Sequence, residues 1–261
     1  MTSLFDLSGK VAVVTGGSKG IGKAISQRLA EHGAKVVVSS RKIDACEAVV
    51  ADIKAKGGTA VATACNIAHK DQLKALVEFT NKTYGGIDVL VCNAAVNPYF
   101  GATHEMPDDA WDRVMGCNVR SNFWLTNMVV PDMAKRGGGA VVIVSSIGGF
   151  LGSDVIGAYA ISKAADLQMA RNIAVEWGGK NIRANCIAPG LIRTDFARAL
   201  WENPAILKQT MSTTPMRRIG EPDEIAGAAV FLASMAGSYM NGQSMIVDGG
   251  RVAGTPRAAL E

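Results

Sequence analysis

Short runs of β-branched and other apolar residues alternate along this chain with stretches in which apolar residues recur every three or four positions. Runs of the first kind predict β-strands, and stretches of the second kind predict helices. Seven strands are predicted, and they begin near residues 11, 35, 59, 88, 140, 182 and 244. Helices are predicted over about 21–29, 43–56, 70–84, 111–125 and 158–177, and from Pro222 onward.

The predicted strands are continuously apolar, which indicates that both of their faces are buried, as in a parallel sheet. Parallel neighbours need right-handed crossovers, which the predicted helices supply. We therefore expect an α/β doubly wound Rossmann fold, with a mostly parallel seven-stranded sheet and helices on both faces. No Pro-, Ser- or Gly-rich linker divides the chain, so residues 1–261 are expected to form a single domain. The stretch 195–215 breaks the rhythm and is expected to lie over the strand ends.

Composition narrows the classes of function. The chain is 48% hydrophobic and 19% charged, a balance that excludes disordered and coiled-coil proteins. Its net charge of +4 is spread without a basic run, so no nucleic-acid partner is expected. Five scattered cysteines and three histidines give no reason to expect a metal or a disulfide framework, and they favour a reducing, cytoplasmic compartment. No apolar run approaches the roughly 18 residues that span a bilayer, and no signal peptide is visible, so no membrane partner is expected.

The turn after the first strand is suited to binding phosphate. Residues 16–22 read Gly-Gly-Ser-Lys-Gly-Ile-Gly and run directly into a predicted helix. Glycines let the backbone approach a pyrophosphate, and the helix N-terminus supplies free N–H groups. The spacing differs from the Gly-x-Gly-x-x-Gly dinucleotide pattern, so a glycine-rich turn without a ligand is the alternative. The predicted cofactor contacts in this turn are Gly16, Ser18, Lys19, Gly20, Ile21 and Gly22.

The end of the second predicted strand indicates which dinucleotide binds. An NAD enzyme would place a carboxylate near position 40, but this chain has Ser40 followed by Arg41. A guanidinium can clamp a 2′-phosphate, and Lys19 could reach the same group. NADP(H) is therefore the preferred cofactor, with NAD(H) possible. The alternative is that the basic residues at 41 and 42 form an ordinary solvated loop.

Three further residues fit carbonyl chemistry. Tyr159 and Lys163 are four residues apart on a predicted helix and so share one face. Ser146 follows the predicted strand near residue 140, at the sheet edge where such folds bind ligands. A tyrosine hydroxyl can protonate the oxygen formed by hydride transfer, an adjacent ammonium favours the phenolate for the reverse reaction, and a serine can hydrogen-bond the oxyanion. Each residue alone also fits an ordinary turn or surface helix, so the argument depends on their combination.

The order of these motifs resembles that of the short-chain dehydrogenase/reductase family across almost the whole chain. The resemblance is carried by Thr15-Gly16, Gly20-Ile21-Gly22, Asn93-Ala94-Ala95, Ser146, Tyr159-x-x-x-Lys163, Pro189-Gly190 and Thr194. It implies Ser146, Tyr159 and Lys163 as catalytic residues, with Asn118 holding a water in a proton relay through Lys163. It also implies cofactor contacts from Tyr159, Lys163, Asn66, Ile67, Asn93, Ala94, Pro189, Gly190, Ile192 and Thr194. The acid usual beside the adenine in this family is replaced by Asn66, which puts adenine affinity in doubt and leaves the chemistry untouched.

The function expected is an NADP(H)-dependent oxidoreductase that interconverts a secondary alcohol and a ketone or aldehyde. Residues 93–98 and 39–42 are similar to those of NADPH-dependent carbonyl reductases of the peroxisomal type. The alternatives are a 3-oxoacyl-thioester reductase, a non-catalytic NADP(H)-binding regulator, and a lyase or epimerase that uses transient oxidation. The thioester alternative depends on four arginines that could meet an anionic substrate, Arg193, Arg198, Arg217 and Arg218.

Apolar residues in three stretches are expected to rim the substrate pocket and to favour an apolar or aromatic carbonyl compound. They are Tyr99, Phe100, Phe150, Leu151, Val155, Ile156, Phe196, Leu200, Trp201, Ile206 and Met211. For each of them, packing between the irregular segment and the body of the protein, or contact between subunits, is the alternative. The last predicted helix and strand resemble the interface with which this family forms a homotetramer.

Overall fold

The computed structural model describes residues 3–256, and these contain one seven-stranded sheet in which every paired strand is parallel. The strands are β1 (Val11–Thr15), β2 (Lys35–Ser40), β3 (Thr59–Ala64), β4 (Val89–Cys92), β5 (Gly139–Val144), β6 (Ile182–Pro189) and β7 (Ser244–Val247). Their order is β3-β2-β1-β4-β5-β6-β7. The predicted Rossmann-like α/β fold is confirmed, and the sheet is wholly parallel where the sequence predicted a mostly parallel one.

Helices follow most of the strands, as predicted. They are α1 (Gly20–Glu31), α2 (Ile43–Ala55), α3 (Lys70–Tyr84), α4 (Asp108–Val114), α5 (Ser121–Lys135), α6 (Gly157–Trp177), α7 (Arg198–Trp201), α8 (Pro204–Thr213) and α9 (Pro222–Ala233). The single helix predicted across 111–125 is interrupted, because a π-helical turn at Met115–Arg120 separates α4 from α5. The irregular segment predicted over 195–215 contains the short helices α7 and α8.

Two apolar layers hold the helices on the sheet. Neighbouring side chains of β1 point to opposite faces, with Val14 in one cluster and Val13 in the other. The first cluster includes Ile25 of α1 and Ile225 of α9, whereas the second includes Leu125 of α5. Burial on both faces explains why the strands are continuously apolar in sequence.

Strand order reverses at β1, because its chain continues to β2 on one side while β4 pairs on the other. In open parallel sheets, the crevice beyond the carboxyl ends of the strands at such a reversal is where ligands bind. The glycine turn lies at the end of β1, and Ser146 lies two residues beyond β5. The fold therefore brings both predicted ends of the site to one edge of the sheet.

Candidate active site

A cavity of about 1260 Å³ opens at the carboxyl edge of the sheet. With the exception of Asn118, every residue predicted for the site lines it. These residues are Gly16, Ser18, Lys19, Gly20, Ile21, Gly22, Ser40, Arg41, Asn66, Ile67, Asn93, Ala94, Ser146, Tyr159, Lys163, Pro189, Gly190, Ile192 and Thr194. The glycine turn and the Ser146–Tyr159–Lys163 group thus share one continuous space.

The glycine turn is compact enough to require glycine. A Cβ atom on Gly22 would lie 2.2 Å from the carbonyl oxygen of Gly16, and Gly16 itself has φ 65°. Helix α1 begins at Gly20 without a side-chain cap, so its first N–H groups have no partner within the helix or from a capping side chain. A bare backbone turn leading to an uncapped helix N-terminus fits the pyrophosphate of a dinucleotide.

Asn93 braces this turn from the neighbouring strand. Its Nδ2 donates to the carbonyl oxygens of Thr15 at 3.0 Å and Gly16 at 3.3 Å. In return, the Thr15 Oγ1 accepts from the backbone N–H groups of Asn93 and Ala94. The Asn93 side-chain amide, which the sequence predicts as a cofactor contact, therefore holds the end of β4 against the glycine turn.

Lys19 of the glycine turn and Arg41 after β2 differ in their surroundings. Lys19 Nζ lies 3.5 Å from Asp195 Oδ2, and both side chains are exposed. Arg41 is exposed and forms no ion pair within the part of the chain that is described.

The two polar residues predicted nearby form local contacts. Ser40 Oγ lies 3.1 Å from Cys46 Sγ. Asn66 Oδ1 accepts from the N–H of Ala68 at 3.2 Å, so it stabilises its own turn.

Ser146 is held by a short turn at the end of β5. Its Oγ accepts a hydrogen bond from the N–H of Gly148 at 3.0 Å and caps the 3₁₀ turn Ile147–Gly149. A serine hydroxyl that accepts one bond still has its own proton to donate. The hydroxyl can therefore donate to an oxygen in the cavity.

Tyr159 lies in the first turn of α6 and is half-buried, with its ring 6.3 Å from that of Phe196. Lys163, one turn later, is only 2% exposed, and its Nζ lies 5.7 Å from the centre of the Tyr159 ring. The same Nζ donates to the carbonyl oxygen of Val144 at 2.9 Å. The spacing of four residues thus places a phenol and an ammonium side by side, as the sequence predicts.

Asp166 is the member of this group that the sequence analysis missed. Its carboxylate is fully buried and lies 3.0 Å from Lys163 Nζ. Burial acts to lower the pKa of the Lys163 ammonium, but the neighbouring carboxylate holds that pKa above its ordinary value. The available signal was an acid three residues after the lysine, on the same helix face.

Asn118 lies in the π-helical turn, and its side chain is fully buried. Its Oδ1 accepts from the N–H of Val96 at 2.8 Å, and its Nδ2 donates to the Val96 carbonyl at 2.9 Å and to Ser162 Oγ at 3.1 Å. The side chain therefore ties the π turn to the segment after β4 and to the residue before Lys163. π-helical turns of this kind often mark functional sites.

The apolar wall of the cavity is partly as predicted. Seven of the eleven predicted apolar residues line it: Phe100, Leu151, Val155, Ile156, Phe196, Leu200 and Ile206. The prediction is wrong for Tyr99, Phe150, Trp201 and Met211, which do not line it. Trp201 instead donates its indole N–H to the carbonyl oxygen of Thr194, so it holds the segment after β6 in place.

The four arginines considered for an anionic substrate also lie outside the cavity lining. Arg193 pairs with Glu221 at 3.0 Å, and Arg198 pairs with Asp195. Arg218 pairs with Glu224, and Arg217 donates to the carbonyl oxygen of Ser212. The arginines that do line the cavity are Arg41, Arg113 and Arg251.

Among residues 3–256 no cluster of His, Cys, Asp and Glu side chains could hold a metal ion. Within the same residues, no helix is both long and apolar enough to cross a membrane. All five cysteines are buried with free thiols.

Comparisons with known proteins identify relatives of this chain. A family model described as enoyl-(acyl carrier protein) reductase matches residues 16–251. Dehydrogenase/reductase SDR family member 4 from Bos taurus is 45% identical over 244 residues, covering 94% of this chain and 88% of that protein. The human protein of the same name is 44% identical over 250 residues, covering 96% and 90%.

Solved structures share the fold at 31% and 40% sequence identity. A 7α-hydroxysteroid dehydrogenase in complex with NADH and 7-oxo glycochenodeoxycholic acid is 40% identical, with a TM-score of 0.91 over 94% of this chain and 95% of that one. A gluconate 5-dehydrogenase from Burkholderia cenocepacia in complex with NADP and tartrate is 31% identical, with a TM-score of 0.92 over 96% and 98%. By fold, by site and by relatives, this chain belongs to the short-chain dehydrogenase/reductase family and is an oxidoreductase acting on alcohol and carbonyl groups.

Proposed function

We propose that the protein is an NADP(H)-dependent oxidoreductase that interconverts a secondary alcohol and an apolar ketone or aldehyde, with Tyr159 as its proton donor and acceptor. The observation that carries this proposal is that the half-buried Tyr159 lines the same cavity as the glycine turn. The Lys163 ammonium lies 5.7 Å from the centre of the tyrosine ring. When bound, the nicotinamide cofactor supplies or accepts the hydride. The residues of the chain manage the proton and the charge.

The proton steps follow from the side chains present. In reduction, Tyr159 donates its phenolic proton to the carbonyl oxygen, and the Lys163 ammonium stabilises the phenolate left behind. Ser146 donates a hydrogen bond from its hydroxyl group to the same oxygen and so stabilises the charge that develops there. In oxidation, the phenolate accepts the alcohol proton. In this proposal the side-chain hydrogen bonds of Asn118 position the π turn and Ser162, and its expected hold on a water in the proton relay through Lys163 stays a prediction.

NADP(H) is the proposed cofactor because Arg41 is exposed at the cavity wall and no carboxylate stands at position 40. The solved relatives include complexes with NADH and with NADP, so the preference is inferred from the residues of this chain. Lys19 can join Arg41 once it leaves Asp195. That exchange costs little, since exposed ion pairs contribute only about 0–1 kcal/mol.

The substrate class is inferred from the cavity wall. Phe100, Leu151 and Val155 present apolar surface to the cavity, and so do Phe196 and Leu200 on the opposite segment. Such a wall favours a substrate with a sizeable hydrocarbon portion beside its carbonyl. The four arginines that suggested a 3-oxoacyl thioester are engaged elsewhere, which removes the reason for preferring that substrate.

The proposal is tested by following NADPH absorbance at 340 nm with a panel of aromatic, alicyclic and steroid ketones and a 3-oxoacyl thioester. The parent should consume NADPH with an apolar ketone. Tyr159→Phe should reduce kcat by about a hundredfold or more, as loss of a general acid does, while NADPH affinity stays within about threefold. A Phe variant as active as the parent would contradict the role of Tyr159. Tight NADPH binding without turnover on any carbonyl would support the regulator instead.

We also infer a homotetramer, with contacts made by the last helix and the last strand, and a reducing, cytoplasmic setting that suits five buried free thiols.

A further inference from the structure

The Lys163 ammonium is buried, and burying a charged group costs free energy. The side chain is 2% exposed, and an isolated buried ammonium tends to lose its proton. One of its hydrogen bonds goes to the carbonyl oxygen of Val144, which is neutral. The other goes to Asp166 Oδ2 at 3.0 Å, and this carboxylate supplies the opposing charge.

Asp166 is itself fixed as an ion rather than as a proton donor. Both of its oxygens accept hydrogen bonds, Oδ2 from Lys163 and Oδ1 from Asn122 Nδ2 at 3.0 Å. Burial holds the pKa of the Asp166 carboxyl group above its ordinary value, and the hydrogen bonds from Lys163 and Asn122 limit that rise and favour the ion. Asn122 also donates to the carbonyl oxygen of Asn118 at 2.8 Å, so one amide joins the carboxylate to the π turn.

The other titratable groups around the pair come from three elements. Cys92 faces it from β4 and Cys186 from β6, and Cys186 Sγ lies 3.4 Å from the backbone oxygen of Asp166. Burial raises the pKa of both thiols well above the ordinary range, so both stay neutral beside the pair. On α6 the neighbours are Tyr159 and, at longer range, Arg171. Asp166 is therefore the anion that faces Lys163 at neutral pH within the described residues.

We propose that Asp166 is a positioning residue that keeps the Lys163 ammonium charged inside the protein and holds it against the cavity wall beside Tyr159. The proposal rests on the proposed function, because it assigns Asp166 to the proton chemistry of that site. Without the carboxylate, the largest contribution that opposes the effect of burial on Lys163 is lost, and the lysine loses its proton at lower pH. Tyr159 then ionises next to a neutral amine and must do so at higher pH.

The test is a spectroscopic titration of Tyr159 in the parent and in Asp166→Asn, which keeps the shape of the side chain and removes its charge. The chain contains four tyrosines, so tyrosinate absorbance near 295 nm is measured with and without Tyr159→Phe in each background. The difference isolates Tyr159. We expect its ionisation midpoint to rise by about one pH unit or more in Asp166→Asn, as expected on losing a nearby positive charge.

Cys186→Ala is the matched control, because it removes a buried neighbour of the same pair without changing charge. Its titration should follow the parent. Asp166→Ser, a smaller replacement, is measured in parallel and serves alone if Asp166→Asn does not fold. An unchanged midpoint with only a lower melting temperature would make Asp166 merely structural and overturn the proposal. A lower midpoint would overturn it too, because the carboxylate would then be opposing the lysine.

The titration needs neither substrate nor turnover. A parent that reduces no carbonyl compound would therefore contradict the proposed function while the effect of Asp166 on Tyr159 is still measured. If the parent does turn over, the alkaline fall of kcat for reduction, which requires the protonated Tyr159, should begin at higher pH in Asp166→Asn than in Cys186→Ala.

Discussion

At the scale of single residues, Lys19 and Arg41 differ in whether they must break an ion pair to bind a phosphate. Lys19 already lies 3.5 Å from Asp195, so an incoming phosphate competes with a carboxylate. Arg41 has no ion-pair partner among residues 3–256 and is exposed at the cavity. Arg41 is therefore the side chain on which discrimination between NADPH and NADH should depend most.

Arg41→Ala should weaken NADPH binding by about tenfold or more, since a charge-assisted hydrogen bond contributes roughly 1.5–3 kcal/mol. NADH has no 2′-phosphate, so its affinity should change by less than about threefold. Nicotinamide fluorescence titrations measure both. Lys42→Ala is the matched control, because it removes the same charge from the adjacent residue and should affect NADPH less. Equal losses of NADPH and NADH in Arg41→Ala would contradict the phosphate clamp.

Only some residues of the site could be predicted from the sequence. Ser146, Tyr159 and Lys163 were predictable because their spacing has a chemical meaning. Asp166 was not, because an acid three residues after a lysine is usually a solvated pair on a helix surface. Only the packing of α5 and of the strands against α6 reveals that this pair is buried. For the same reason, the use of the Asn93 amide as a brace of the glycine turn depends on β4 lying beside β1.

At the scale of elements, the junction of β1 and α1 is where backbone geometry is most demanding. Gly22→Ala would place a Cβ atom 2.2 Å from the Gly16 oxygen and 2.5 Å from Asn93 Nδ2. The turn must open to relieve this, so we expect a loss of about 1–3 kcal/mol in the free energy of unfolding. NADPH should also stabilise the variant less than the parent. Thermal unfolding with and without NADPH measures both effects.

Gly227→Ala in α9 provides the matched control for this substitution. No heavy atom lies within 4 Å of a Cβ built there, and the residue has ordinary helical surroundings. Alanine in a helix interior is favoured over glycine by roughly 0.5–1 kcal/mol. Gly227→Ala should therefore melt at or above the temperature of the parent with an unchanged response to NADPH. If both variants behaved alike, the tight approach in the glycine turn would not be the cause.

The sequence did not predict the π-helical turn or the short helices α7 and α8, because none of them changes the apolar pattern clearly. A π-helical turn adds one residue to a helix, and the apolar residues on each side of it still recur every three or four positions. The pattern across Met115–Arg120 therefore predicts one continuous helix. Helices α7 and α8 have four and ten residues, and neither contains a buried residue. Without a buried face, such short helices leave little periodic pattern.

At the scale of the whole molecule, the sheet was predictable because its strands are buried on both faces. That condition leaves runs such as Val11–Thr15 with no polar alternation, and it also demands helical crossovers. The order of the strands follows from these crossovers and from the reversal at β1. How copies of the molecule contact one another depends on its outer surface, where periodicity carries less information.

The last strand, β7, lies at one edge of the sheet. Strand β7 pairs only with β6 among the described strands, and its other edge is therefore unpaired. Ile246 on this strand is 39% exposed, and nearby in sequence Met235 and Tyr239 are 66% and 104% exposed. An apolar sheet edge of this kind invites pairing with another chain. The proposed homotetramer would cover it.

Ile246→Asp should disrupt this contact, because a carboxylate would have to be buried without a partner. Light scattering after size exclusion should give the parent a mass about four times the 27.3 kDa of one chain. The variant should have the mass of a dimer or of a monomer. Ile43→Asp is the matched control, since Ile43 is similarly exposed but lies at the start of α2, between β2 and β3, the two strands farthest from β7 in the sheet order. A tetramer retained in Ile246→Asp would place the contact elsewhere on the surface, and a monomeric parent would refute the tetramer itself.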